Sequence, residues 1–183
     1  MILEAVRIVA DWLDSAQHGV NALLAAVPVD GTDSDVTVPP AVTVLDSTRR
    51  SDVARGQMPS VTSAELPALL VTPSDQSIDS QSPAAGLLPS DSSVTVLIRY
   101  VTSTLDTAKA ERDASQTLRA VSRSLRLLFT TANSETARTR ASVQIVEPRD
   151  QRLTTLYESN DDTVVTGGVL VTYRARDLWA QGA

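Results

Sequence analysis

Along residues 93–129 the spacing of apolar positions changes from two to about 3.6, which predicts a strand running into a helix. In the strand, Val94, Val96, Ile98 and Tyr100 share one face and Thr95, Leu97, Arg99 and Val101 the other. Both faces are partly apolar, so this strand is expected near the middle of a sheet. In the helix, Ala110, Ala114, Leu118, Val121, Leu125 and Leu128 follow at spacings of four or three and draw one apolar stripe. Arg119, Arg123 and Arg126 fall on the opposite side. No Gly or Pro interrupts 90–129, so about 25 helical residues would span on the order of 35 to 40 Å, enough to cross a sheet.

The rest of the chain is arranged around that unit. Ile2, Val6, Val9, Leu13, Ala16, Val20, Leu23 and Val27 keep a helical period, predicting an amphipathic helix that Gly19 can kink and Pro28 closes. Short strands are expected at AVTVLD (41–46) and at ALLVT (68–72), the latter fenced by Pro67 and Pro73. The segment from Pro73 to Pro89 is rich in Ser, Pro and Asp and contains no basic residue, which predicts a long mobile loop at about 73–92. Beyond the long helix, TTANSETARTR reads as a polar linker and SVQIVE as a strand, with RLTTLYES either extending the sheet or forming an arm. Asn160, Asp161 and Asp162 signal a turn, and Gly167 with Gly168 a second break before a last strand, VLVTYRAR. The order is helix, three strands, long helix, two or three strands. It predicts an α+β fold in which a mostly antiparallel sheet carries the N-terminal helix and the long central helix on one face.

Composition narrows the function. The 183 residues, 42% of them hydrophobic, suit a single domain spanning 1–183 that buries roughly 70% of its unfolded surface. Large rings are few and cysteine is absent, which leaves an aliphatic core, no base-stacking platform, no disulfide and no thiolate chemistry. There is no basic-then-apolar leader pattern and no run of about 18 apolar residues, so a soluble, unprocessed protein is expected. The net charge of −6 is uneven: residues 1–93 carry −8 and residues 94–183 carry +2. A surface of that sign repels nucleic acid.

Catalytic chemistry finds little support in the pattern. His18, the only histidine, falls opposite Val9 on the helical wheel, with no second histidine and no G-x-S-x-G turn to join it. Asp161 and Asp162 are accounted for by turn chemistry, and the run from Asp30 to Asp35 lacks the spacing and closing Glu of a calcium loop. Gly167 and Gly168 precede a strand and not a helix, so they present no helix N-terminus to a phosphate. No catalytic residue, metal ligand or cofactor is therefore expected. The one patterned charge cluster is the row Arg119, Arg123 and Arg126. It either complements the helix macrodipole and solvates an outer face, or pairs across a subunit boundary with an acidic stretch such as the one holding Asp75 and Asp79.

An N-terminal amphipathic helix, PPAVTVLD, PALLV, a long loop, VTVLIRY running into a long helix, and GGVLVTYRARD near the C-terminus together resemble the tail terminator (tail completion or neck) proteins of long-tailed bacteriophages. The resemblance covers nearly the whole chain and lies in layout and size. It implies a non-enzymatic virion protein of the tail or neck, assembled in the host cytoplasm. Such a protein forms a homo-oligomeric ring, expected to be a hexamer, that ends growth of the tail tube and joins it to the head connector. The implied partners are further copies of itself, the tail tube protein and the head-tail connector protein, with no sequence-specific nucleic acid and no membrane. Head-tail connector and tail tube proteins share this layout, and a small carboxylate-dependent hydrolase is the alternative of another class.

Overall fold

The computed structural model describes residues 1–26, 39–50, 61–78, 91–103, 107–132, 134–154, 158–160 and 163–178. The chain opens with helices α1 (Ile2–Leu13) and α2 (Val20–Ala25), then strands β1 (Thr43–Asp46), β2 (Ala68–Ile78) and β3 (Asp91–Ser103). Helix α3 (Thr107–Thr130) follows, then a single turn α4 (Ser134–Ala137) and strands β4 (Thr139–Arg140), β5 (Val143–Thr154), β6 (Glu158–Asn160) and β7 (Thr163–Asp177). The strands form one sheet in the order β1-β2-β3-β7-β5-β4, with β6 also paired to β7. Only the β1–β2 pair is parallel among the described strands; all others are antiparallel.

The fold is α+β, as the periodicity predicts. β3 lies inside the sheet between β2 and β7, and its burial alternates along the strand. Val94, Val96, Ile98 and Tyr100 join Leu69 and Val71 of β2 and Val169, Val171 and Tyr173 of β7 in one core. Residues of α1, α2 and α3 complete that core, so both main helices cover the same sheet face. All six positions of the inferred α3 stripe, from Ala110 to Leu128, are buried. A smaller cluster, Ala68, Leu70, Val101 and Val165, occupies the reverse face at one end. Elsewhere that reverse face mixes the Leu97–Leu170 pair with polar pairs: the Thr95 and Thr172 hydroxyls meet at 3.1 Å, and Arg176 pairs with Asp91 at 3.0 Å.

Four local expectations are corrected. The N-terminal helix is not continuous to Val27: it stops at Leu13, and α2 starts after a turn in which the Gly19 amide donates to Ser15 O at 2.9 Å. A Cβ on Gly19 would lie 2.3 Å from Ser15 O and 2.5 Å from Leu13 O, so only glycine lets the chain fold back this tightly. The turn sends Val20 and Leu24 into the core and leaves Ala16 outside, where an uninterrupted helix would have put Ala16 on the apolar stripe.

The loop expected at about 73–92 is shorter than its composition suggests. Residues 73–78 continue β2 and pair with Ser92–Val96, and β3 begins at Asp91. Pro73 is tolerated because it falls beyond the end of the β1 pairing, where no described outer strand needs its N–H, and the register shift between Pro73 and Asp75 absorbs the irregularity. Residues 79–90, including Asp79, lie outside the described residues.

Gly167 and Gly168 do not break the chain before the last strand. β7 runs through them, opposite Tyr100 and Arg99, with Thr166 as the extra residue of a bulge. A Cβ on Gly167 would approach Leu118 Cδ1 to 3.0 Å, so this glycine admits the long helix against the sheet. The polar linker 130–140 is the last correction, since it holds α4 and β4. The β4–β5 hairpin then closes through Ala141 at φ 50°, a left-handed residue that is not glycine.

Candidate functional site

The arginine row occupies the outer face of α3. Arg119, Arg123 and Arg126 are exposed, and none is ion-paired with a described residue. Arg112 extends the row toward the helix N-terminus at the same spacing, also exposed, a member that the sequence pattern alone did not single out. Asp75 lies exposed on β2, where its carboxylate accepts from the Gln76 amide at 2.8 Å. The subunit forms no ion pair between Asp75 and the arginine row among the described residues, and Asp79 lies outside them.

A second feature is a groove of about 600 Å³ between α1, the turn after it and α4–β4. Trp12 and His18 stack there at 5.3 Å between ring centroids, with planes 20° apart. His18 therefore sits in the turn against an indole, not on a solvent-facing helical surface as the wheel implied. Two hydrogen bonds fix the stack to the long helix. The Trp12 Nε1–H donates to Ser124 O at 2.8 Å, and the buried Ser124 hydroxyl donates to His18 O at 2.7 Å. Along the rim, Asp11 takes Arg49 at 2.6 Å and Arg140 as a second partner, while Glu4 takes Arg7 at 2.7 Å and Arg140 at 3.2 Å. Each of these carboxylates is thus shared between two guanidinium groups, which ties α1 to β4 and to the segment after β1.

Polar clamps of the same kind hold the remaining connections. Asn21 binds the Val42 backbone twice, donating to Val42 O and accepting from Val42 N, both at 2.9 Å. Arg138 lies 5.2 Å over the Phe129 ring and donates to Val146 O at 3.0 Å. Glu65 accepts from the Thr62 amide at 2.8 Å and pairs with Arg50 at 3.0 Å, and these two contacts, the amide first, lower its pKa to about 2. The sequence signals for these clamps are weak, because each joins residues brought together only by the fold. The Thr62-to-Glu65 capping box is the exception, since its spacing is legible in the chain.

Among the described residues no group of three or more His, Asp or Glu side chains gathers as a metal-ligand set, and no helix is long and apolar enough to cross a membrane. Asp161 and Asp162, and the run from Asp30 to Asp35, lie outside the described residues. The groove offers an aromatic pair whose carboxylate and guanidinium neighbours already neutralise one another, an arrangement suited to holding two helices and a hairpin in fixed register. Among the described residues the α3 arginine row is the exposed cationic cluster without an ion pair, while Asp14, Asp75 and Glu111 are exposed acids in the same condition. In sequence comparison, no protein-family model matches this chain, and no curated protein matches it.

Proposed function

We propose that this protein is a tail terminator of a long-tailed bacteriophage: a structural virion protein that rings the head-proximal end of the tail tube, ends its polymerisation and joins it to the head connector. One observation carries the reading. The order of elements along the chain, helix, strands, a central strand running into a long helix, then a closing group of strands, resembles the layout expected of that family, and it builds a sheet with both main helices on one face. The part of the other sheet face that no described α-helix covers, and the arginines on the outside of α3 that have no ion pair among the described residues, are surfaces such a subunit would turn toward neighbours. An acidic balance of −6 suits a channel through which DNA passes without adhering.

The experiment is to add the purified protein to tube subunits while they polymerise. Shortened tubes carrying a ring at one end only are the expected outcome. Growth of the protein into filaments by itself would assign it to the tube proteins instead. Unchanged tube length with no decorated end would rule the terminator reading out.

A further inference from the structure

The arginine row of α3 is longer and less compensated than a solvated helix face requires. Arg112, Arg119, Arg123 and Arg126, with Gln116 between the first two, recur at intervals of four and three and so form one ridge about 21 Å long. All four guanidinium groups are exposed, and none has a carboxylate partner among the described residues. Elsewhere Arg7, Arg49, Arg50, Arg140, Arg174 and Arg176 each hold a carboxylate within 4.0 Å. The helix macrodipole does not account for the ridge. α3 has no basic residue in its last turn, and Arg112 lies beyond its first turn, so the dipole reaches neither end of the ridge.

We infer that this ridge is the docking surface for an acidic face of a second copy of the chain. Two observations select that occupant. The chain carries a net −6, and Asp14 and Asp75 are exposed with no ion pair among the described residues, so each copy brings carboxylates that can meet the ridge. Nucleic acid would have to approach a molecule of net charge −6 along a helix face that presents no aromatic residue. A two-fold axis through the ridge would lay guanidinium groups on guanidinium groups, so the ridge of one copy must meet a different surface of the next. Such a contact forms twice over in a two-fold dimer, ridge to acid and acid to ridge, or once per neighbour in a ring. This deepens the terminator reading by naming the subunit contact, yet it stands on charge and geometry alone.

The test is sedimentation velocity of the full chain at low salt, comparing wild type with Arg119→Glu/Arg123→Glu. Both positions are exposed, and thermal unfolding of each protein, together with the milder Arg119→Gln/Arg123→Gln, separates lost assembly from lost fold. Wild type is expected to self-associate. The charge reversal should weaken assembly roughly thirtyfold or more, and Arg119→Lys/Arg123→Lys should retain most of it. Equal assembly of wild type and the reversed variant would overturn the inference. So would a wild type that stays monomeric, or one that binds a short DNA duplex through these arginines. The tube-length assay reports separately. A ridge variant that assembles normally while wild type caps tubes removes the ridge and leaves the terminator; ridge-dependent assembly with untouched tubes does the reverse.

Discussion

At the scale of single residues, the described core is aliphatic except for Tyr100 and Tyr173, with Trp12 buried and Phe129 packed at its edge. Tyr173 is fully buried against Phe129, at 5.8 Å between centroids, and its hydroxyl has no hydrogen-bond partner among the described residues. Burial pushes its pKa up strongly, because a phenolate there would lose its hydration. Tyr100 is pushed up to about 12, first by burial and then by the nearby Asp113 carboxylate. Both shifts favour the neutral phenol in the folded state. The stability they contribute is complete below the ordinary tyrosine value of 10.0 and is lost as pH rises from there through about 12. An alkaline titration followed by phenolate absorbance, in a Tyr157→Phe background, should therefore show no ionisation near pH 10 while the circular dichroism stays native. Ionisation and unfolding should then occur together at higher pH. Two ordinary phenol titrations in a folded protein would contradict the burial of these rings.

At the scale of elements, α3 is the part on which the rest depends, and its orientation gives a sharp test. Leu125 is 2% exposed within the core cluster, whereas Ser122 lies at the edge of the buried stripe. Replacing Leu125 with Asp strands a carboxylate among apolar side chains and should cost about 3 to 5 kcal/mol. Ser122→Asp should cost under about 1 kcal/mol, and equal melting temperatures of the two variants would reject this face assignment. The stripe was readable in the chain because its period is local: each apolar residue predicts the next one, three or four positions on. The central place of β3 was readable for a similar reason, since apolar residues on both faces need neighbours on both sides. What escaped the periodicity is decided by contacts distant in sequence. β2 continues through Pro73 because β3 offers a pairing partner, β7 continues through Gly167 because Leu118 needs room, and the β4–β5 turn uses Ala141 where no glycine or asparagine announces it. Proline and glycine were read as breaks in the first two cases, although they mark an unpaired edge and a close approach. The candidate site was legible in part: three of the four ridge arginines stood out, while Arg112 and the Trp12–His18–Ser124 lock did not.

At the scale of the whole molecule, two electrostatic effects oppose each other whenever copies meet, and salt separates them. Net charge of −6 on each subunit repels at long range, and added salt relieves that repulsion. The ridge attracts at short range if it meets an acidic surface, and salt weakens that attraction as well. Which effect governs depends on distance. Screening acts over about 8 to 10 Å at physiological ionic strength, so the diffuse repulsion between subunit centres is already largely cancelled there. Contacts at the ridge lie within that length and retain a larger share of their strength, so the remaining salt dependence reports on them. Self-association should accordingly weaken steadily as salt rises from about 0.15 M toward 1 M, where the screening length falls to about 3 Å. The Arg119→Gln/Arg123→Gln variant should show a flatter dependence, because two of the four cations responsible are gone. Association that instead strengthens with salt in wild type would mean that apolar burial or relief of net repulsion holds the copies together, and the arginine ridge would then be only a solvated face of the helix.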